Sequence, residues 1–370
     1  MNIDFTSYLE KIEQTILTYI PADFTEEWKL ASFGIQSAAV KDSHIEPLAA
    51  PARELVSLGG KRWRPLLMVL CAQAAADANG FDKETAEKRA YSLTPLVEFV
   101  HTASLIHDDI EDSSDTRRGK PAAYITYGTD TAINAGSWLY FEAPVCIDRL
   151  DCSAELKNTL YSAYAMELRR LHLGQAMDIA WHRDNTAEPS AQEYIAMVKN
   201  KTGTLASLAA RTGTLCAGTR PQDADKASLA AAQIGAGFQI IDDVINLTTG
   251  NPGKKRGDDI VEGKKSLPVL LLAEQCPQQM KKLHTLFKQA RSGGIESPAV
   301  EEAISVLTDS GTILQARDRG IKLIQDACEK FDALFGSNNE ESAKIRQLFM
   351  SMIPQIQLGE AKKCLKAAKN

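Results

Sequence analysis

Leu93–Thr94–Pro95–Leu96–Val97–Glu98–Phe99–Val100–His101–Thr102–Ala103–Ser104–Leu105–Ile106–His107–Asp108–Asp109–Ile110–Glu111–Asp112 is the stretch on which the fold reading turns. Leu93, Leu96, Val97, Val100 and Ala103 recur at three- and four-residue steps, the spacing of one buried helix face. The run then ends in acids. The same apolar spacing recurs on both sides of it. Phe5, Leu9, Ile12, Ile16 and Ile20 form a stripe near the start, followed later by Leu156, Leu160, Ala163 and Met166, then Ile234, Gly237, Phe238 and Ile241. No sustained alternation of period two appears, nor an Asn-Gly or Asp-Gly hairpin turn between strand-like runs. The pattern predicts an all-α chain.

Breakers fall between the stripes at Leu58–Gly59–Gly60, Arg118–Gly119–Lys120–Pro121, Gly250–Asn251–Pro252–Gly253, Ser292–Gly293–Gly294 and Gly336–Ser337. Each is short and helical spacing resumes at once, so none reads as an interdomain linker. Lys201 and Thr202 interrupt a helical pattern running from Glu193 to Cys216. The expectation is about a dozen helices: an N-terminal helical extension over residues 1–50 and one domain over 51–370.

Composition narrows the class. With 42 Lys+Arg against 48 Asp+Glu the formal charge is 42 − 48 = −6. That acidic balance argues against nucleic acid as the partner. Cys71, Cys146, Cys152, Cys216, Cys276, Cys328 and Cys364 are odd in number, widely spaced and without a CxxC pair, which reads as reduced, mostly buried thiols. The N-terminus does not resemble a secretory signal. The apolar runs at Leu66–Ala72 and Leu267–Ala273 are far shorter than the roughly 20 residues of a membrane span. The expected state is soluble and cytoplasmic, without a transmembrane segment.

Two helical stretches end in oxygen ligands. In the first, Asp108 and Asp112 stand at i and i+4. In the second, Gln239–Ile240–Ile241–Asp242–Asp243–Val244–Ile245–Asn246, Asp242 and Asn246 do. Residues at that spacing share a helix face. Like charges there destabilise a helix by about 0.2–0.5 kcal/mol per pair, and a helix C-terminus disfavours anions further. One such cluster is easily a solvated acidic face; two, each after a long apolar run, call for a compensating cation. An oxygen-only set selects a hard ion, and Mg²⁺ is typically held by one or two carboxylates plus substrate phosphates.

Basic residues supply the other half of a phosphate site. Gly59–Gly60–Lys61–Arg62–Trp63–Arg64–Pro65 sets flexible glycines before three cations, and Arg117 and Arg118 follow the first acids. Lys254, Lys255, Lys264 and Lys265 bracket Gly257–Asp258–Asp259 after the second. His101 lies two turns before Asp108 on the same face, and Gln175 and Asp178 are polar positions on an otherwise apolar helix. There is no nucleophile elbow, Walker A motif or GxGxxG.

These motifs, in order from Gly59 to Pro268, resemble the trans-prenyltransferases, the polyprenyl diphosphate synthases: Gly60–Pro65, His101–Asp112 with Arg117–Pro121, Gly174–Asp178, Lys201–Thr202–Gly203, Gly237–Asp243, and Gly253–Lys254 to Gly263–Lys264. The resemblance implies an all-α isoprenoid synthase fold, helices around a deep central cavity with the two Asp motifs facing across its mouth. It implies Asp108, Asp112 and Asp242 as ligands of three Mg²⁺ ions, with Asp109 and Asp243 in support. Arg117, Lys201 and Lys264, with Lys254 closing over them, would clamp an allylic diphosphate. Lys61, Arg64, His101 and Arg118 would hold isopentenyl diphosphate, and Gln175 is carried over as a substrate-binding residue. Thr202 and Gln239 would stand beside the nascent carbocation. A homodimer is the expected assembly.

The second motif ends in Asn246 where many members have Asp, which keeps an oxygen and loses a charge. Ala103 and Ser104, one turn before Asp108, are small, leaving room for a product of at least twenty carbons such as geranylgeranyl diphosphate. Trp138, Tyr140 and Phe141 are candidates for the cavity floor. A class I terpene cyclase would share the first Asp motif but not need Lys61, Arg64 and His101. A non-catalytic subunit of a heteromeric synthase would be expected to have lost an acid motif, and both persist here.

Overall fold

Pro95 enters the helix Thr94–Glu111 in its first turn, where a missing N–H costs no hydrogen bond. From there Leu96, Val97, Phe99, Val100 and Ala103 are all buried. The helix Trp63–Asn79 is apolar almost all round, and Pro65 to Ala76 are buried on every face, the signature of a central helix. It stops at Gly80, whose φ of +64° is the left-handed conformation that closes a helix without strain. These elements belong to a computed structural model that describes residues 4–184, 188–250 and 255–353.

Among the described residues there are nineteen α-helices, one short 3₁₀ turn and one two-stranded hairpin. The excess over the expected dozen is physical. Ala123–Tyr127, Val145–Asp148 and Asp258–Glu262 are four or five residues long, too short to repeat an apolar position. The break at Thr202 is as expected, with Ala191–Lys201 ending there and Gly203–Cys216 following. Residue 50, the expected end of the extension, falls inside the helix Asp42–Ser57. The hairpin pairs Thr116 with Pro121 and Arg117 with Lys120. Its turn residues Arg118 and Gly119 both have positive φ, +52° and +77°, the requirement of a tight two-residue hairpin. An Arg-Gly pair between two-residue strands carries no alternating pattern, so only the backbone reveals it. No helix among the described residues is long and apolar enough to cross a membrane.

The chain folds into two compact units. The first comprises the chain up to Glu167 with Leu205–Leu229 and Lys330–Leu348. Its helix Trp63–Asn79 lies so close to Gly213 that a Cβ there would sit 2.2 Å from the Met68 carbonyl oxygen. Arg62, at φ +44°, buries its guanidinium between Glu13 of the first helix, at 2.6 Å, and Glu98 of the helix Thr94–Glu111. The N-terminal helices are thus integral to this unit. Trp28 packs on Phe24, Phe33 and Trp138, and its indole N–H donates to the Tyr19 carbonyl at 3.0 Å.

The second unit comprises Leu168–Thr204, Ala230–Glu329 and the residues from Phe349 on. Its core is formed by Tyr194, Met197 and Val198 with Ile240, Val244 and Leu247, and by the apolar helices that follow. Ser190 caps the helix Ala191–Lys201 reciprocally with Glu193, satisfying donors that would otherwise be unpaired.

Glu142 of the first unit yields a prediction. It is 2% exposed, accepts from the Ser32 hydroxyl at 2.8 Å, and burial pushes its carboxyl up to about 7 from 4.5. A raised carboxyl binds a proton more tightly folded than unfolded, so its stabilising effect is full below about 4.5 and is lost as pH rises through 7. Glu142→Gln should therefore raise the unfolding free energy read from a urea titration at pH 8 by about 2–4 kcal/mol, and change it little at pH 4.5. An equal shift at both pH values would contradict the assignment.

Candidate active site

In the first unit the acids and cations share one helix and the hairpin beside it. Asp112 caps the helix Thr94–Glu111 and its N–H donates to the Asp108 carbonyl, so the two carboxylates bracket the last turn, Asp108 half-buried and Asp112 exposed. Asp109 is buried at 1% exposure. Arg117 Nε donates to its Oδ1 at 2.9 Å and Nη2 adds a second bond. Burial raises the Asp109 carboxyl, partly offset by Arg117. Arg117 is thus already committed to the motif's middle acid, which fixes it beside Asp108 and Asp112.

The turn at Arg118–Gly119 aims Arg118 the other way. Its guanidinium donates to the Leu55 carbonyl at 3.2 Å and to the Gly59 carbonyl, and lies over Gly60, where a Cβ would be 3.2 Å from Nη2. Glycine at 60 thus leaves space for a cation. Arg64 lies half-buried with its guanidinium 4.5 Å from the Trp63 ring centroid, and Lys61 is exposed. The His101 imidazole is pushed well below its usual range by burial, then by Arg64, Arg118, Arg62 and Arg117. It sits in a strongly positive neighbourhood, one that favours an anion. Three sequence-expected cations, Arg64, Arg117 and Arg118, are gathered there. Arg62 belongs instead to the buried pairing with Glu13 and Glu98, a role the basic run alone does not reveal.

In the second unit Gly174 sets the site. A Cβ there would lie 2.3 Å from the Lys201 backbone nitrogen, so the helix carrying Gln175 and Asp178 touches the end of the helix carrying Lys201. Lys201 Nζ meets Asp178 Oδ2 at 2.6 Å. Burial would raise the Asp178 carboxyl, but Lys201 and His182, with Lys264 further off, outweigh it and hold it below its usual value. Lys264 Nζ pairs with Asp259 Oδ1 at 3.0 Å and Glu262 at 2.7 Å. Lys201 and Lys264, the expected clamp lysines among the described residues, therefore each have a carboxylate partner.

The second acid motif separates its members by depth. Asp242 is exposed, while Asp243 and Asn246 are buried at 6% and 1%. Tyr194 donates its hydroxyl to Asp243 Oδ2 at 2.5 Å, Gln239 Nε2 donates to Oδ1 at 3.0 Å, and Thr202 Oγ1 donates to Gln239 Oε1 at 2.9 Å. Burial and then Asp259 push the Asp243 carboxyl upward. Asn246 has a role in the fold that its spacing does not reveal. Its Oδ1 accepts the Asp259 N–H at 3.3 Å, which supports the short helix Asp258–Glu262, and its Nδ2 is buried without a partner.

Lys254 lies outside the described residues. Lys255 forms an exposed pair with Glu296. Phe141 is 78% exposed and cannot floor a cavity, Trp138 belongs to the aromatic cluster with Trp28 and Phe33, and Tyr140 is buried beside His107. Among the described residues no three His, Cys, Asp or Glu converge to hold an ion unaided. Half-buried Asp108 and exposed Asp112 in the first unit, and exposed Asp242 in the second, offer oxygen donors alone, a chemistry that suits Mg²⁺ completed by phosphate and water. Tyr194, Asp178 and Asp259 are the partners sequence reasoning underweights, because their signal is pairing across helices.

Gly174→Ala should cost about 1–3 kcal/mol in a urea titration, since the obstruction is backbone and cannot swing aside. The variant should also lose activity, because the Lys201–Asp178 pair depends on that approach. Unchanged stability and turnover would refute the close contact.

The polyprenyl synthetase family model matches residues 45–305. A geranylgeranyl pyrophosphate synthase of Apiospora sacchari is 30% identical over 91% of this chain and 94% of its own length. An all-trans-nonaprenyl-diphosphate synthase of Rhodobacter capsulatus is 28% identical over 90% and 94%. The crystal structure of a geranylgeranyl pyrophosphate synthetase from Pyrococcus horikoshii superposes with a TM-score of 0.76 at 26% identity, covering 95% of this chain and 97% of that one. With the acid motifs and the cation-ringed His101, these matches mean that the chain belongs to the polyprenyl synthetase family, as an all-α prenyltransferase of the isoprenoid synthase fold.

Proposed function

We propose that this chain joins isopentenyl diphosphate to an allylic diphosphate and releases a linear all-trans prenyl diphosphate, geranylgeranyl diphosphate being the product. The observation that carries the reading is the cluster of Arg64, Arg117 and Arg118 around His101, which stands on the helix whose last turn bears Asp108 and Asp112. A second diphosphate needs such a pocket; a cyclase, which handles one, does not.

Asp108, Asp112 and Asp242 are the residues that would hold Mg²⁺, three ions in the full complex, and the bound metal neutralises charge developing on the departing diphosphate. Lys201 and Lys264, with Arg117, bind that diphosphate and orient it; their partners Asp178, Asp259 and Asp109 hold them extended. Gln175 lies one turn before Asp178 on the same helix. Lys61, Arg64, His101 and Arg118 hold isopentenyl diphosphate so that its double bond reaches the allylic carbon as the C–O bond breaks. The new C–C bond leaves a tertiary cation, which loses a proton to the departed diphosphate. Thr202 and Gln239 stand beside the cation, and apolar walls exclude water.

Product length is supported by buried Ala103 and by Ser104, whose hydroxyl is turned back to the His101 carbonyl at 2.8 Å, leaving no bulk one turn before Asp108. Buried Val100 and Val97 lie deeper on that helix. Residues 51–370 are read as one catalytic domain carrying an N-terminal extension, consistent with a family match that draws on both units. A cytoplasmic homodimer completes the reading. Six free cysteines among the described residues suit a reducing compartment, and exposed Ile133 and Phe141 offer a second copy an apolar strip on the helix Thr129–Glu142.

Incubation with Mg²⁺, isopentenyl diphosphate and each allylic starter, followed by sizing of the dephosphorylated products, should give a twenty-carbon linear alcohol. Cyclic hydrocarbon from a single diphosphate would overturn the reaction, and a longer chain only the length. Asp108→Ala or Asp242→Ala should lower kcat by at least about 10²-fold while the circular dichroism spectrum is kept. Near-normal turnover in either would remove that residue from the metal set.

A further inference from the structure

Tyr194, on the helix Ala191–Lys201, is fully buried in the second unit and has no part in the reading above. Its hydroxyl begins a continuous chain: Tyr194 to Asp243 at 2.5 Å, Gln239 to Asp243 at 3.0 Å, Thr202 to Gln239 at 2.9 Å. The direction of every bond follows from donor and acceptor chemistry. Burial and Asp259 push the Asp243 carboxyl upward while Tyr194 and Gln239 oppose them, yet Asp243 Oδ1 accepts from the Gln239 NH₂ whether Oδ2 is ionised or carries the proton. Gln239 must then turn its NH₂ to Asp243 and its carbonyl to Thr202. A carbonyl only accepts, so the Thr202 hydroxyl commits its single proton to Gln239. What Thr202 has left for any neighbour is oxygen lone pairs.

We propose that Tyr194 is a positioning residue: acting through Asp243 and Gln239, it holds Thr202 with its oxygen lone pairs, and not its proton, presented to the reacting carbons. This rests on the reading of Thr202 as a neighbour of the allylic cation. An oxygen already oriented with its negative end toward developing positive charge stabilises that charge without reorganising, whereas an inward O–H would oppose it. Without the Tyr194 hydroxyl, one Asp243 oxygen loses its buried donor and is drawn to compete for the Gln239 amide. Gln239 and Thr202 are then no longer restricted to one orientation.

The test is a double-mutant cycle on the full chain with Tyr194→Phe, Thr202→Val and the pair, read by steady-state kinetics with both diphosphates. Tyr194→Phe should lower kcat roughly three- to tenfold and leave both KM values within about twofold. In the Thr202→Val background the same change should have no further effect on kcat. Unchanged kcat in Tyr194→Phe, or losses that multiply in the pair, would overturn the inference, since a purely structural tyrosine slows both backgrounds alike. Thr202→Val at full kcat would instead remove the role assigned to Thr202, and this inference with it. Should Tyr194→Phe lose its thermal transition, Asp243→Asn, which keeps the shape but donates as well as accepts, enters the same cycle with the same two outcomes.

Discussion

An ammonium or guanidinium withdrawn from water needs a counter-charge close by, and the arrangement of this protein's polar residues follows from meeting that need one cation at a time. Lys201 has Asp178, Lys264 has Asp259, Arg117 has Asp109 and Arg62 has Glu98 with Glu13. Removing one partner of such a pair leaves the other as an uncompensated charge, which is strongly destabilising. The pairs also restrict long, flexible side chains, so that less rotamer entropy is left to lose if one of them takes up a ligand.

Two kinds of cation result. Arg62 is sealed between acids and holds the N-terminal helix to the helix Thr94–Glu111. Arg64 lies over an aromatic face, and Arg118 donates to backbone carbonyls and feels the charges of Glu98 and Glu13. Burial, and then the charges of Arg64, Arg118, Arg62 and Arg117, hold the His101 imidazole well below its usual range in a neighbourhood receptive to an anion. The same division runs through the acids. Asp109 and Asp243 are buried and bonded within the fold, whereas Asp112 and Asp242 reach solvent. In each DDxx[DN] run the second residue is buried, and the first is more exposed than the second.

Much of this was legible from the chain. The apolar stripes located helices because burial of one face repeats every 3.6 residues, and Ile12, Ile16, Leu93, Val97 and Ile234 are all buried as that spacing requires. The interruption at Thr202 and the caps at glycine followed from local backbone preference. The hairpin at Arg118–Gly119 escaped because two-residue strands have no period, and the shortest helices for the same reason. Asn246 shares a face with Asp242 because the two stand at i and i+4. That its oxygen also accepts the Asp259 N–H is not legible from that spacing.

By itself the sequence determined which residue types are present at which helical positions: acids at the ends of apolar stripes, cations after glycines, small residues before Asp108. Those are local facts, set by spacing along a single helix. Only the tertiary structure decided who pairs with whom, because Tyr194 and Asp243, Lys201 and Asp178, or Arg62 and Glu13 lie tens of residues apart in the chain. Whether a polar group serves the fold or the reaction depends on what the neighbouring helix brings within about 3 Å of it, and spacing along one strand of sequence carries no record of that neighbour.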